Sequence, residues 1–181
     1  MRLFIAINFE EDVKDQLCGI MRRLKPGLIQ GNLTRRENLH LTLAFIGETT
    51  RVASVRSAMN AISAKAFTLS MSGFGRFKRS GGDIYWIGVT ACGELETLYG
   101  QLFKNLTKAG FQLEDRPFRP HLTLGRQMVP EPGFDADAFA KSVPELIQQV
   151  SSISLMKSQR IQGKLVYTEV YRKSLSAGAS E

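Results

Sequence analysis

One tetrapeptide occurs twice in this chain, and both copies begin with histidine. His40 opens the first His-Leu-Thr-Leu and His121 opens the second, 81 residues later (121 − 40). These are the only two histidines in the sequence. The alternation predicts a strand in which residues i and i+2 project from the same face. The chain must therefore fold so that two similar strands each present a histidine and a threonine together, with the leucines buried behind them.

Hydrophobic periodicity predicts the elements around these strands. Strands are expected over residues 3–9, 39–46, 67–74, 84–89, 121–125, 150–156 and 165–175. Helices are expected over residues 10–24, 52–64, 94–109 and 134–141. Residues 75–83 are predicted to form a glycine-rich, basic loop, and residues 176–181 a frayed tail.

Each half of the chain follows the order strand, helix, strand, helix, strand. This order and the shared tetrapeptide predict an internal repeat of about residues 1–80 and 81–175 within one bilobal domain spanning 1–181. The expected fold class is α/β (α+β), and we expect the two halves to face each other across a groove with equivalent strands on either side.

The overall charge is positive, with 24 basic and 17 acidic side chains. Residues 1–90 carry 13 of the basic and 7 of the acidic ones, so the excess lies in the first half. A positive field favours a polyanionic partner such as nucleic acid, although a basic domain without such a partner has the same composition.

Composition and the N-terminus also indicate where the protein works. The two cysteines, Cys18 and Cys92, are far apart and predict neither a disulfide framework nor a cysteine zinc site. The N-terminus lacks the features of a signal peptide, and no apolar run approaches the roughly 20 residues that cross a bilayer. We therefore expect a cytoplasmic protein with no membrane partner.

The paired motifs carry the residue types needed to open a cyclic phosphodiester. A histidine has an ordinary pKa near ~6.5, so one imidazole can accept a proton while the other donates one. The hydroxyls of Thr42 and Thr123 can donate hydrogen bonds to phosphate oxygens. Ala44 and Gly125, next on the same face by parity, are small and are expected to leave room for a ligand.

Two simpler interpretations compete with this one. A lone strand histidine is usually a half-buried structural residue, but here both histidines share one register and each has threonine at i+2. A zinc site is disfavoured because two histidines without an acid or cysteine at a suitable spacing make a poor ligand set. We expect no metal and no cofactor.

The motifs in GNLTRRENLHLTLAFIGE and RPFRPHLTLGR resemble those of the 2H phosphoesterases, named for two His-x-Thr-x motifs. The segments RLFIAINF, NLHLTLAFIG, DIYWIGV and FRPHLTLGR are similar to the bacterial RNA 2′,3′-cyclic phosphodiesterases, first called 2′-5′ RNA ligases. The resemblance extends from about residue 2 to about residue 172.

This resemblance implies two pseudo-symmetric lobes, each a mainly antiparallel sheet with helices outside, around a central cleft that carries both motifs. It implies hydrolysis of a terminal 2′,3′-cyclic phosphate of RNA to a 2′-phosphate. His40 would be the proton donor and His121 the proton acceptor, with Thr42 and Thr123 binding the phosphate. RNA ends or small cyclic nucleotides would be the partners, and we expect a monomer.

Further contacts are predicted less specifically. Basic residues that can hold RNA phosphates, or simply be solvated, are Arg35, Arg36, Arg76, Lys78, Arg79, Arg116 and Arg119. Aromatic residues that can stack on a base are Phe45, Phe74, Phe77, Tyr85, Trp86 and Phe118. Strand parity puts Arg126 on the leucine face unless a bulge intervenes. It puts Phe45 on the same face, where a core position is expected. Only one of Tyr85 and Trp86 can face the cleft.

Three other functions are compatible with parts of the sequence. The same groups can run the reaction backwards and join RNA ends through a 2′-5′ linkage. An RNA-binding module could use the histidines only to hold phosphate, although it would not need a matched acid and base. A purely structural role is not supported, because the sequence contains no heptad repeat and no low-complexity tract.

Overall fold

The computed structural model describes residues 1–177, which form nine strands, four α-helices and two short 3₁₀ helices at Lys25–Gly27 and Arg36–Asn38. The strands are β1 (Arg2–Asn8), β2 (Leu28–Leu33), β3 (His40–Glu48), β4 (Phe67–Phe77), β5 (Asp83–Val89), β6 (His121–Pro130), β7 (Leu146–Val150), β8 (Ser152–Ile161) and β9 (Lys164–Ser174). The helices are α1 (Glu11–Leu24), α2 (Val52–Asn60), α3 (Gly93–Lys108) and α4 (Ala136–Ser142).

All of the predicted strands and helices form, and two strands were missed. Strand β2 is polar and mostly exposed, so its sequence LIQGNL shows no apolar alternation. Strand β7 does alternate, but over only five residues. Both lie at the edges of their sheet, where weak patterns suffice. The predicted loop over 75–83 is shorter than expected, because β4 continues to Phe77.

The strands make two antiparallel sheets. The first has the order β3-β1-β8-β9, and the second has the order β2-β6-β5-β4-β7. This confirms the expected fold class of two mainly antiparallel lobes. Neither sheet is built from one half of the chain, because β2 and β4 join the later strands and β8 and β9 join the earlier ones. The expectation that each half is a lobe is therefore wrong.

The two sheets nevertheless share one local order. In the first sheet the motif strand β3 pairs with β1, and β1 pairs with β8 from the second half of the chain. In the second sheet the motif strand β6 pairs with β5, and β5 pairs with β4 from the first half. The internal repeat itself and the single bilobal domain remain predictions.

The helices cover one face of the sheets and leave the other face open to the motifs. Helix α1 buries Val13, Leu17 and Ile20 in the same cluster as Leu3, Ile5 and Leu41 of the strands. Helix α3 does the same with Leu95, Leu98, Leu102 and Leu106. On the opposite face of the first sheet a small cluster of Phe4, Ala6 and Met156 packs against Tyr167. That face belongs to the cleft.

The predicted frayed tail is wrong at its first residue. The carbonyl oxygen of Ser176 accepts a hydrogen bond from the Ala66 N–H at 2.8 Å, and the Ser176 N–H donates to the carbonyl oxygen of Ala64 at 3.0 Å. Residues 178–181 of that prediction lie outside the described residues.

Candidate active site

The two motifs begin their strands in the way that the alternation predicts. Leu41, Leu43, Leu122 and Leu124 are buried, whereas the histidines and threonines of both motifs are only partly covered. Strands β3 and β6 come from different sheets but contact each other. The structure therefore brings His40, Thr42, His121 and Thr123 to a single cleft.

Each histidine ring is held by the carbonyl two residues before it. Nδ1 of His40 lies 2.6 Å from the carbonyl oxygen of Asn38, and Nδ1 of His121 lies 2.7 Å from that of Arg119. A carbonyl can only accept, so Nδ1 carries the hydrogen in both rings. Nε2 is thereby left to act in the cleft, and in His40 it lies 2.9 Å from Thr42 Oγ1.

Aromatic rings support both imidazoles. The ring of Phe4 lies 4.9 Å from His40, and Tyr167 meets His40 edge-on at 5.2 Å. Phe77 meets His121 edge-on at 4.9 Å, and Trp86 lies at 6.4 Å. These contacts fix the ring planes and remove water from one side of each imidazole.

Burial lowers the pKa of both histidines. For His40 the loss of hydration is the main cause, and the Arg126 guanidinium lowers its pKa further, although the bond to Asn38 acts in the opposite direction. For His121 burial is again the main cause, with Arg126 and Arg116 adding to it. Both imidazoles are therefore favoured in the neutral form before any anion binds.

Arg126 is a site residue that strand parity misplaced. In β6, Trp86 pairs with Thr123 but Tyr85 pairs with Gly125, so Leu124 is an extra residue. This bulge reverses the parity beyond the motif and turns Arg126, which is exposed, towards the histidines. Arg126 therefore lies in the cleft, although the alternation of the sequence predicts it on the same face as the leucines.

Strand β3 contains a β-bulge at the equivalent position. Ala6 pairs with Thr42 but Ile5 pairs with Ala44, so Leu43 is extra. Phe45 is consequently turned out of the core and is 48% exposed. The prediction that placed Phe45 with the leucines is wrong for this reason.

The bulges also move Ala44 and Gly125 away from their predicted place. Ala44 is buried in the hydrophobic core, although it borders the cleft, and Gly125 is buried as well. A Cβ on Gly125 would lie 2.8 Å from Met128 Sδ and 2.9 Å from the carbonyl oxygen of Asn32. Gly125 is small because of this close approach and not because it leaves room for a ligand.

A cavity of about 310 Å³ adjoins the motifs on the side of α3. It reaches Thr42, Leu43 and Ala44 of β3 and His121 of β6, and we call the remainder the side groove. The residues that form the side groove are Phe45, Phe77, Arg79, Tyr99, Phe103, Leu113, Glu114, Arg116, Pro117, Phe118 and Arg119.

The structure divides the six predicted arginine contacts into two groups, whereas Lys78 is exposed and does not border the side groove. Arg36 is held by Glu11 and Asp15, Arg35 by Glu37, and Arg76 by Asp83, which leaves these arginines in local ion pairs. Arg79, Arg116 and Arg119 border the side groove instead. The last three are therefore the arginines from that set that lie near the motifs.

The predicted aromatic contacts also separate. Tyr85 is a core residue with 2% exposure, so Trp86 is the member of that pair on the cleft side. Phe74 packs on Tyr85 and Phe139 behind the sheet. Phe77 and Phe118 do border the side groove.

Tyr167 and Asn38 are site residues that sequence reasoning missed. Tyr167 reaches His40 from β9, and burial raises its pKa while Arg126 and Arg2 lower it. Asn38 is buried, and its side-chain amide donates to the carbonyl of Leu165 at 3.0 Å. It thereby ties the turn before His40 to β9. No sequence signal links β9 to the first motif, although Asn38 stands two residues before His40.

Residues 1–177 offer neither a metal-ligand cluster nor a membrane-spanning helix. No group of three or more His, Cys, Asp or Glu side chains is arranged to hold a metal ion in this part of the chain. No helix there is long and apolar enough to cross a membrane.

Two lobes that each present a His-x-Thr motif to one cleft form the arrangement of a 2H phosphoesterase. Residues 13–162 match the family model of the 2′-5′ RNA ligase superfamily. The chain belongs to that superfamily.

Named relatives and a solved structure agree with this assignment. The chain is 33% identical over 129 residues to an RNA 2′,3′-cyclic phosphodiesterase of Archaeoglobus fulgidus, covering 70% of this chain and 72% of that protein. It is 29% identical to the Escherichia coli protein of the same name, covering 97% of both. Its fold is similar to the crystal structure of E. coli LigT complexed with 3′-AMP, with a TM-score of 0.77, 28% identity and coverage of 96% of this chain and 97% of that one.

Proposed function

We propose that the protein is an RNA 2′,3′-cyclic phosphodiesterase that converts a terminal 2′,3′-cyclic phosphate to a 2′-phosphate. The observation that carries the proposal is the matched pair of imidazoles. Each has Nδ1 bound to the carbonyl at i−2 and Nε2 directed to one cleft. The names of the relatives support the same activity.

The base in this mechanism is His121. Its neutral Nε2 takes a proton from a water molecule as the water oxygen attacks phosphorus. The lowered pKa of His121 keeps this nitrogen unprotonated near neutral pH. His121 is less deeply buried than His40, so water can reach it more easily.

The acid is His40. As the bond between phosphorus and O3′ breaks, His40 Nε2–H gives its proton to O3′, and the phosphate stays on O2′. The pKa of His40 is lowered in the free protein, so the proton must be stabilised by the substrate. An anionic phosphodiester beside the ring raises the pKa of the imidazole and supplies that stabilisation. After product release, exchange with water restores both rings.

The remaining groups stabilise the charge that develops on the phosphoryl oxygens. Thr42 and Thr123 can donate hydroxyl hydrogen bonds to them from the two lobes. The Arg126 guanidinium supplies a positive charge close to both histidines. Positioned donors and charges of this kind act most strongly in a cleft from which water is partly excluded.

RNA ends and small cyclic nucleotides are the proposed substrates, and a monomer in the cytoplasm is the proposed state. The location is supported by Cys18 and Cys92, which are both free thiols. The protein that resembles this fold with 3′-AMP bound supports a nucleotide ligand.

The test is an assay on a short RNA that ends in a 2′,3′-cyclic phosphate, with excess chelator present. We expect a 2′-phosphate, identified by mass and by end-specific chemistry. His40→Ala and His121→Ala should each reduce the rate by about 10²–10⁴-fold while thermal unfolding stays close to that of the parent. Retention of the parental rate in either variant would contradict the two-histidine mechanism. Intact RNA that remains bound would instead favour the binding module.

A further inference from the structure

The side groove has a chemistry that the hydrolytic step does not use. Its walls include five aromatic rings, those of Phe45, Phe77, Tyr99, Phe103 and Phe118. Its rim carries Arg79, Arg116 and Arg119 against the single carboxylate of Glu114. Aromatic faces combined with cationic side chains are what single-stranded nucleic acid needs, because bases stack and phosphates pair with guanidinium groups.

The aromatic part of the side groove offers two flat surfaces on which a base can stack. Phe45 lies close to Thr42 and is half exposed, although it is a large apolar side chain. Tyr99 and Phe118 are stacked face to face, with ring centroids 3.9 Å apart and planes within 6°. A base that enters the groove can therefore stack on Phe45 or on the Tyr99–Phe118 pair.

The charged part can accept an anion. Among residues 1–177, neither Arg79 nor Arg119 forms an ion pair, and the pair of Arg116 with Glu114 is exposed on both sides. The three guanidinium groups outnumber the one carboxylate. The rim therefore keeps positive charge for a phosphate.

The opposite flank of the cleft does not suit a phosphate. Beyond His40, Asn8 Nδ2 lies 3.5 Å from Glu169 Oε2, and Ser154 Oγ donates to the same oxygen at 2.6 Å. Hydrogen bonds from Ser154 and Arg172 lower the pKa of Glu169 despite its burial, so this flank carries a carboxylate. Because Arg172 is paired with Glu169, it is not free for a phosphate, and a second phosphate is favoured on the side of the groove, where the guanidinium groups outnumber the carboxylate.

We propose, on the basis of the function proposed above, that the side groove binds the base and the 5′-phosphodiester of the terminal nucleotide. A cyclic phosphate spans O2′ and O3′ of the ribose, so the base and C5′ both lead away from it on the rest of the sugar. When the phosphate lies between the histidines, the aromatic walls receive the base and the arginines receive the phosphate that joins the next nucleotide. The preferred substrate is then the 3′ end of an RNA strand and not a free cyclic nucleotide.

The experiment compares two small substrates that differ only at O5′. One is adenosine 2′,3′-cyclic phosphate, and the other carries in addition a methyl phosphodiester on O5′. We expect kcat/KM to be about tenfold higher for the second, because one charge-assisted contact of this kind is worth about 1.4 kcal/mol. The advantage should shrink as salt is raised.

Variants locate the effect in the groove. In the double variant Arg79→Gln/Arg116→Gln, we expect the ratio of the two kcat/KM values to fall towards one. Arg119 is left unchanged because its carbonyl holds His121. Arg160→Gln is the matched control, since Arg160 is an exposed arginine on β8 of the other sheet, and it should keep the ratio of the parent.

The outcomes are distinguishable. Equal kcat/KM for both substrates in the parent would overturn this assignment while leaving the proposed function standing. A preference that survives in the double variant would overturn the role of the groove. Failure to hydrolyse any 2′,3′-cyclic phosphate would remove the proposed function and this assignment with it.

Discussion

Phe45 and Arg126 stand three residues after the threonines of their motifs, and in both strands one extra leucine turns the side chain into the cleft. The two lobes therefore use one backbone device to present different chemistry. The first lobe contributes an apolar surface next to Thr42. The second contributes a positive charge next to both histidines.

The wild-type protein should show a bell-shaped dependence of kcat/KM on pH with its maximum below pH 7. This rate constant reports the free enzyme, in which the pKa values of both histidines lie below 6.5. The acid limb appears where His121 gains a proton, and the alkaline limb where His40 loses one. Because a bound anion raises both pKa values, the maximum of kcat should lie at higher pH. A kcat/KM maximum above pH 8 would contradict this account.

Replacing Arg126 should change both the rate and the pH profile. Arg126→Gln removes a charge that lowers the pKa of both histidines, so the profile should move to higher pH, and kcat should fall by about 10²-fold. Arg126→Lys keeps the charge but not the planar guanidinium, so it should keep the parental pH profile with a reduced rate. If the glutamine variant keeps the parental profile, Arg126 does not act on the histidines.

The threonine hydroxyls should matter less than the imidazoles. Thr42→Val and Thr123→Val each remove a hydrogen bond to a charged group, which corresponds to about 1.5–3 kcal/mol, or roughly a ten- to hundredfold loss in kcat/KM. Thr42→Ser and Thr123→Ser keep the hydroxyl and should recover most of the activity. Equal losses in the valine and serine variants would indicate packing and not phosphate binding.

Gly75 should be sensitive to the addition of one methyl group. A Cβ there would overlap the ring of Trp86, which borders His121, so Gly75→Ala must displace the ring. We expect a loss of about 1–3 kcal/mol in the free energy of unfolding and a lower rate. Trp86 is the only tryptophan, so its fluorescence reports the displacement directly.

The control for this substitution is Gly81→Ala. Among the described residues, no atom lies within 4 Å of a Cβ at Gly81. Its stability, fluorescence and activity should match those of the parent. A Gly75→Ala protein that also matches the parent would show that the ring of Trp86 can move at no cost.

Much of the fold follows from local patterns that are visible in the sequence. Leucines at helical spacing predict α3, and alternation predicts β3 and β6, because burial of one face requires those periods. Strand β2 lacks such a signal, since it is held by backbone hydrogen bonds to β6 and has no buried apolar face. Strand β7 alternates over only five residues, which is too short a pattern to identify a strand.

The site divides in the same way. His40, Thr42, His121 and Thr123 are recognisable from the repeated tetrapeptide and from the need for an acid and a base. Arg126 and Phe45 cannot be assigned to the cleft from the sequence, because a bulge depends on how many residues the partner strand places opposite the motif. Tyr167 cannot be assigned either, because its contact with His40 depends on three strand pairings. Strand β3 pairs with β1, β1 pairs with β8, and β8 pairs with β9, which carries Tyr167.

The sequence by itself determined which chemistry is available, since two identical motifs supply two titratable rings and two hydroxyls in one register. The tertiary structure decided which further side chains reach them and from which flank a substrate can enter. Periodicity is a property of a single segment, whereas the direction of Arg126 and the walls of the side groove depend on segments that meet only after folding.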